Sequence, residues 1–192
     1  MGGKICNSNT RGENILMKFK ETKIQGTFVI TPEKKKDIRG YFARIFDKKE
    51  FLKFGLDLNF DQCSISHNIF KGTLRGLHYQ IKPHEETKLV CCTSGRIFDV
   101  VVDLRPNSLT YRKWTYVELS EQNSKLIFIP KGCAHGFQTL EKNTNVFYQI
   151  SSRYNPKSSC GIRYDDPVLK IKWPLKLTKI SEKDLSYDYL ES

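Results

Sequence analysis

The chain has 192 residues, enough for one domain with a sizeable core, and its 39% hydrophobic and 28% charged residues exclude a disordered chain. No apolar run approaches the roughly 20 residues of a membrane-spanning helix, so no membrane segment is predicted. The formal net charge is +11, but the basic residues are scattered and no nucleic-acid-binding signature accompanies them. The charge therefore favours a small anionic ligand over a nucleic acid.

The first 20 residues are polar and have no periodic pattern, so they are predicted to be a flexible arm before a single domain of residues 21–192. No export signal opens the chain. No two cysteines have the Cys-x-x-Cys spacing of zinc ribbons and redox motifs. We therefore expect a cytoplasmic protein with six reduced thiols, at Cys6, Cys63, Cys91, Cys92, Cys133 and Cys160.

Short β-type runs separated by turns dominate the rest of the chain. Two short helices are predicted, one from the N-cap Asp47 to Gly55 and one after Ser181. About ten short strands at this spacing indicate a β-sandwich or barrel. The predicted strands cover residues 27–31, 41–46, 60–67, 72–80, 88–93, 96–104, 114–119, 126–129, 136–140 and 145–150.

The strand of residues 72–80 contains a histidine among apolar and small residues. Side chains alternate along a strand, so His78 is predicted to lie on one face and Arg75 on the other. Two interpretations are open from this stretch alone. His78 is either a functional group, or a buried histidine bonded to a backbone carbonyl, with Arg75 in a surface ion pair.

Two glycine-bounded segments, one with His78 and one with His135, resemble the paired motifs of the cupin jelly roll. Gln80 stands where metal-binding cupins have a second histidine. Metal-binding cupins also have a glutamate ligand later in this motif. Its position corresponds to Glu85 when residues are counted from one end of the motif and to Lys88 when they are counted from the other. Glutamine is a poor ligand for metals that imidazole suits, and an ammonium repels cations. A pocket without metal is therefore predicted.

A more specific resemblance is to the dTDP-4-dehydrorhamnose 3,5-epimerase family, through collinear blocks from about residue 25 to residue 190. It implies an all-β cupin jelly-roll sandwich or barrel with a few short peripheral helices, a nucleotide-sugar substrate, no cofactor and a homodimer. The blocks are Asp37-x-Arg39-Gly40, Leu74-Arg75-Gly76-Leu77-His78-Tyr79-Gln80, Lys88-Leu89-Val90, Asp99-Val100-Val101-Val102-Asp103-Leu104-Arg105, Pro130-x-Gly132-x-Ala134-His135-Gly136-Phe137, Tyr154-x-Pro156, Asp166-Pro167, Trp173-Pro174 and Ser181-Glu182-Lys183-Asp184.

The family's chemistry is epimerisation at C3 and C5 of a 4-keto-6-deoxy sugar, where each C–H bond flanks a carbonyl. The resemblance implies that His78 is the catalytic base, a task suited to a group that titrates near neutral pH. It implies that Asp184 orients His78 and stabilises its cation. That pairing rests on the family alone. Asp99 and Asp103, four residues apart on one strand face, are the alternative partners.

The resemblance also implies a catalytic acid, Tyr148, on the opposite face of the sugar, and an enolate-stabilising ammonium, Lys88. Their structural alternatives are a rim tyrosine with its hydroxyl in water and a solvated lysine at a strand edge. Arg75 and Arg39 would hold the diphosphate, Arg39 coming from the partner subunit. The remaining implied substrate contacts are Gln62, His135, Tyr154, which would stack on the base, and Lys183.

Three positions depart from the family pattern: Arg44 replaces Glu, Ser64 replaces Asn and Ser159 replaces Glu. Because these are contacts on the sugar and nucleotide side, they leave open a 3- or 5-mono-epimerase and a CDP- or GDP-linked substrate. A 3,4-ketoisomerase, a sugar-binding cupin without activity and a metal-dependent cupin oxygenase remain the other classes of function.

Overall fold

A computed structural model describes residues 17–56 and 58–191 of the chain. The described residues form thirteen strands and two short helices. In chain order they are β1 (Met17–Glu21), β2 (Phe28–Pro32), β3 (Lys34–Asp37), β4 (Gly40–Ala43), α1 (Lys48–Leu52), β5 (Gln62–Asn68), β6 (Leu74–Gln80), β7 (Lys88–Ser94), β8 (Arg96–Asp103), β9 (Trp114–Ser120), β10 (Leu126–Ile129), β11 (Cys133–Thr139), β12 (Thr144–Ile150), β13 (Ser159–Gly161) and α2 (Glu182–Leu185).

Two antiparallel sheets and one hairpin account for all the strands. The six-stranded sheet has the order β1-β2-β10-β7-β12-β5, the five-stranded sheet has the order β13-β6-β11-β8-β9, and β3 pairs with β4. The central core contains Val90 and Val146 from the first sheet and Val101 and Phe137 from the second. The two sheets therefore pack face to face as a jelly-roll sandwich, which confirms the predicted all-β class in its sandwich form.

Peripheral segments cover the outer faces of both sheets. Phe51 of α1 is fully buried against the six-stranded sheet in a second apolar cluster that includes Cys91. Leu169 and Trp173 of the C-terminal segment pack on the five-stranded sheet in a third. Cys92 belongs to the central core, so the vicinal cysteines point to opposite faces of β7, as strand geometry requires.

The predicted helices form, with small shifts at their ends. The Asp47 side chain accepts hydrogen bonds from the backbone of Lys49 and Glu50, so it caps α1 as predicted, although the helix ends at Leu52 rather than Gly55. Neither helix of the described residues has the length or apolar character needed to cross a membrane.

The N-terminal arm predicted for residues 1–20 overlaps the first strand, which begins at Met17. Residues 17–20 belong to β1, which pairs with β2 from Met17↔Pro32 to Glu21↔Phe28. Met17 is buried in the apolar cluster under α1, which explains why an otherwise polar segment becomes a strand. Residues 1–16, including Cys6, lie outside the described residues.

Candidate active site

A cavity of about 700 Å³ opens between the two sheets. Its walls come from β5, β7 and β12 of one sheet, from β6, β11 and β13 of the other, and from the segment around α2. Of the ten predicted site residues, only Arg39 lies elsewhere. The nine that line the cavity are Gln62, Arg75, His78, Lys88, His135, Tyr148, Tyr154, Lys183 and Asp184.

His78 and Asp184 form a direct pair although 106 positions separate them. The distance from His78 Nε2 to Asp184 Oδ1 is 2.8 Å, and Asp184 Oδ2 accepts a hydrogen bond of 3.1 Å from the Gly76 backbone N–H. Burial opposes ionisation of Asp184, but the hydrogen bonds from His78, Gly76 and Ser181 outweigh it and lower the pKa of the carboxyl. An ionised carboxylate can only accept, so Nε2 carries the proton and Nδ1 is left free to act as a base.

Neither alternative partner contacts His78. Asp99 is fully buried and lies 2.8 Å from His135 Nε2, forming a second histidine–carboxylate pair. Burial raises the pKa of Asp99, against the opposing effects of His135 and Lys88. Asp103 instead accepts from the Arg105 guanidinium at 2.8 Å, which gives it a structural role at the end of β8.

A bulge in β6 brings Arg75 and His78 to the same cavity, so the prediction that they lie on opposite faces is wrong. The pairing of β6 with β11 shifts register between His135↔His78 and Phe137↔Arg75. Gly76 has a φ of 119°, and a Cβ placed there would lie 2.5 Å from the Gly136 Cα. The close approach of two glycine backbones therefore creates the irregularity.

Tyr148 lies on β12 of the six-stranded sheet, opposite His78 on the five-stranded sheet. Burial strongly raises the pKa of its phenol, which keeps the hydroxyl protonated at neutral pH. Its ring meets the His135 ring edge-to-face with centroids 6.0 Å apart. The two walls therefore present an imidazole with a free nitrogen and a phenol that can donate a proton.

Lys88 is buried in this cavity, not solvated at a strand edge. Its Nζ lies 2.9 Å from Glu86 Oε1 and donates a longer hydrogen bond, 3.4 Å, to the His78 carbonyl. Glu86 also accepts from Gln80, at 2.9 Å. Glu86 was not among the predicted site residues, since its neighbour Glu85 fell at the motif position and no local signal separates the two.

The residues expected to bind substrate are held by local hydrogen bonds. Arg75 donates to Asn68 Oδ1 at 2.7 Å, and Gln62 Oε1 accepts from the Tyr154 backbone N–H at 2.8 Å. The ammonium of Lys183 lies beside the Tyr187 and Tyr154 phenols, which raise its pKa. Tyr187 also lines the cavity but was not predicted, because it lies outside every motif.

Arg39 lies at the tip of the β3–β4 hairpin. Its side chain is 85% exposed and pairs with Asp37. Of the three departures from the family pattern, Ser64 and Ser159 line the cavity, whereas Arg44 forms an ion pair of 3.1 Å with Asp47. No cluster of three or more His, Cys, Asp or Glu side chains suited to a metal ion occurs within residues 17–56 and 58–191.

The fold and the site together define a jelly-roll protein whose interior cavity has an imidazole and a phenol on opposite walls. Comparison with known proteins gives the particular family. The sequence profile described as dTDP-4-dehydrorhamnose 3,5-epimerase matches residues 21–192, so the chain belongs to this family.

Individual relatives agree with the profile along nearly the whole chain. The dTDP-4-dehydrorhamnose 3,5-epimerase of Methanothermobacter thermautotrophicus is 43% identical over 173 residues, which cover 88% of this chain and 92% of that protein. The Bacillus anthracis enzyme of the same name, crystallised with TDP and PPi, has a TM-score of 0.88 at 36% identity, covering 91% of this chain and 99% of that one. A Legionella pneumophila 3,5-epimerase in complex with dTDP-4-keto-L-rhamnose has a TM-score of 0.86 at 38% identity, covering 91% and 93%.

Proposed function

We propose that this protein is an epimerase that inverts C3 and C5 of a dTDP-linked 4-keto-6-deoxy sugar. The observation that carries the proposal is the placement of the His78–Asp184 pair and the Tyr148 phenol on opposite walls of one cavity. The ligands named for the Bacillus anthracis and Legionella pneumophila structures support a dTDP-sugar as the substrate class.

Inversion needs a proton to leave one face of the sugar ring and another to arrive on the opposite face. The C4 carbonyl acidifies the C–H bonds at C3 and C5, and His78 Nδ1 takes the proton to leave an enolate. Asp184 stabilises the imidazolium that forms. Tyr148, on the other wall and protonated, donates to the opposite face of the same carbon.

The enolate oxygen needs positive charge while the proton is absent. Lys88 supplies an ammonium between the two walls, buried beside His78 and balanced by Glu86. Such a fixed charge in a site with little water stabilises a developing oxyanion far more than it would in bulk water. His135, buried against Asp99, would contact the sugar and support Tyr148.

The nucleotide would extend from the sugar site toward the cavity mouth. Arg75, Gln62 and Lys183 would bind it, with the half-exposed Tyr154 ring under the base. We further propose a homodimer in which Arg39 of one subunit reaches the diphosphate bound to the other. Its support is a projecting hairpin whose Ile38 and Phe42 side chains are exposed in the single chain.

We place the enzyme in the cytoplasm. The five described cysteines, Cys63, Cys91, Cys92, Cys133 and Cys160, are all free thiols, as is usual in a reducing compartment.

Turnover of dTDP-4-keto-6-deoxyglucose in D₂O tests the function. We expect deuterium at both C3 and C5 in the wild type, detected by NMR, and an inverted product. The His78→Ala variant should show neither. Exchange at one carbon only would identify a mono-epimerase. Exchange with the CDP-linked sugar but not with the dTDP-linked sugar would identify a CDP-sugar as the substrate. Exchange no faster than in His78→Ala would reject epimerisation, and binding without turnover would indicate a sugar-binding cupin.

A further inference from the structure

Tyr187 follows α2 and places its ring against His78 on the cavity wall. The ring centroids of Tyr187 and His78 lie 5.9 Å apart at an interplanar angle of 69°. Gly161 of β13 pairs with His78 of β6, and a Cβ on Gly161 would lie 2.2 Å from the Tyr187 Cε2. The Tyr187 ring therefore occupies the space that a side chain at position 161 would fill.

Among residues 17–56 and 58–191, no group accepts a hydrogen bond from the buried Tyr187 hydroxyl, whose oxygen lies beside the Lys183 ammonium. Buried hydroxyls are nearly always hydrogen-bonded, and an ammonium can only donate, so the Tyr187 O–H needs an acceptor from the water or the ligand that fills the cavity. Its charged neighbour is the Lys183 ammonium, which also lies beside the Tyr154 phenol. One ammonium and two phenols on one wall are suited to an oxygen that carries negative charge.

The position of Tyr187 in the cavity identifies that oxygen. Tyr187 contacts His78, where the proposed function puts the sugar, and neighbours Lys183 and Tyr154, where it puts the nucleotide. The group between a sugar and a nucleoside is the diphosphate, and its sugar-linked phosphate is the half nearer His78.

We propose that the Tyr187 hydroxyl donates a hydrogen bond to the sugar-linked phosphate of the bound nucleotide sugar, beside the Lys183 ammonium. This assignment rests on the proposed function. It gives Tyr187 a role in substrate binding rather than in proton transfer, because the hydroxyl is the group that lacks an acceptor and His78 meets the apolar ring.

Calorimetric titration with dTDP and dTMP tests the proposal, since dTMP lacks the phosphate in question. The Tyr187→Phe variant keeps the ring and removes the hydroxyl. We expect it to bind dTDP about tenfold more weakly than the wild type and dTMP equally well, because a hydrogen bond to a charged group is lost. The control is Tyr189→Phe, an exposed tyrosine two positions on whose ring lies under Arg163. It should leave both affinities unchanged.

Gly161→Ala provides a second route to the same contact. Gly161 has no positive φ, so the backbone accepts alanine, but the new methyl group must displace the Tyr187 ring. We expect the same selective loss of dTDP affinity, and no further loss when Tyr187→Phe is added, since both changes remove one hydrogen bond.

Steady-state kinetics separate this role from an action on His78. In Tyr187→Phe, KM should rise about tenfold while kcat is retained. A fall in kcat at constant KM, or equal dTDP affinity in wild type and Tyr187→Phe, would overturn this inference and leave the proposed function intact. If the wild type bound no dTDP, the proposed dTDP-sugar function and this inference would both be wrong.

Discussion

In the proposed mechanism, Asp184 acts through its charge as much as through its position. Its carboxylate contacts His78 Nε2, so it would fix the tautomer of His78 and neutralise the imidazolium that forms when a proton leaves the sugar. Asp184→Asn keeps the size of the side chain and removes the charge. We expect kcat to fall by about 10²–10⁴-fold, the usual contribution of a positioned general base, with little change in KM. Solvent deuterium exchange into the substrate measures the rate.

Glu182→Gln is the matched control for Asp184→Asn. Glu182 belongs to the same short helix and carries the same charge, but its side chain is exposed and does not line the cavity. Its kcat should equal that of the wild type. If Asp184→Asn retained full activity, the carboxylate would serve only as a structural hydrogen-bond acceptor for Gly76 and His78, and the proposed dyad would be wrong.

Residue identity was more predictable from the sequence than residue partnership. His78, Lys88 and His135 stand within the motif blocks, Tyr148 lies on a predicted strand and was implied by the family resemblance, and all four line the cavity. Their partners are remote in sequence or have no distinguishing pattern. Asp99 pairs with His135 although it also fitted His78, and nothing local marks Tyr187 as a cavity residue. Such choices depend on how distant strands and loops pack, which periodicity does not encode.

At the scale of elements, the proposed mechanism makes catalysis depend on the cap of α2. Ser181 Oγ accepts a hydrogen bond of 3.0 Å from the Asp184 backbone N–H, so it caps the helix and holds the residue that orients His78. Ser181→Ala should cost about 1 kcal/mol of helix stability. Because Asp184 then loses its anchor, kcat should fall as well, and Ser181→Thr, which can also cap without adding charge to the cavity, should restore it. Thermal unfolding measures the loss of stability, and the rate of solvent deuterium exchange into the substrate measures the fall in kcat.

The cap of α1 offers an independent comparison. Asp47→Ala removes a cap of similar kind from a helix that packs on the outer face of the six-stranded sheet. A comparable loss of stability with unchanged kcat is expected. Equal kcat losses in Asp47→Ala and Ser181→Ala would show that general destabilisation, not the placement of Asp184, limits activity.

Strand prediction succeeded where an apolar run reports burial and failed where the strand is charged or its irregularity depends on another strand. β10 occupies residues 126–129, as predicted, because all four side chains are buried. β3 was missed because Lys34–Asp37 is charged throughout and pairs only with β4 in a projecting hairpin. The bulge in β6 was missed because it depends on Gly136 of another strand.

At the scale of the whole molecule, buried thiols make stability sensitive to alkaline pH. Burial raises the pKa of Cys91 to about 11 and those of Cys92 and Cys133 to about 12, from 9.0. A raised pKa in the folded state contributes stability that is intact below the unfolded value of 9.0 and is lost as pH rises toward the folded value. The free energy of unfolding should therefore fall above pH 9.0, by up to about 1.4 kcal/mol per pH unit for each thiol.

Urea unfolding of Cys133→Ala over the alkaline range checks the contribution of the thiols. This variant should lose stability less steeply with pH than the wild type, because one group that ionises only on unfolding is gone. Cys63→Ala removes a thiol that is exposed in the folded chain and should keep the wild-type slope. A Cys133→Ala slope equal to that of the wild type would contradict the prediction.

The proposed exchange of Arg39 between subunits can be tested in a heterodimer of two inactivated chains. The Arg39→Ala chain retains His78, and the His78→Ala chain retains Arg39. If Arg39 serves the partner's cavity, one of the two sites in the heterodimer has both residues intact, whereas the other has neither. The purified heterodimer, made with two affinity tags, should then show about half the rate of the wild-type dimer at subsaturating substrate. Each parent homodimer should be far slower. A heterodimer no faster than its parents would place Arg39 in its own chain's site, and a chain that sediments as a monomer would exclude the exchange altogether.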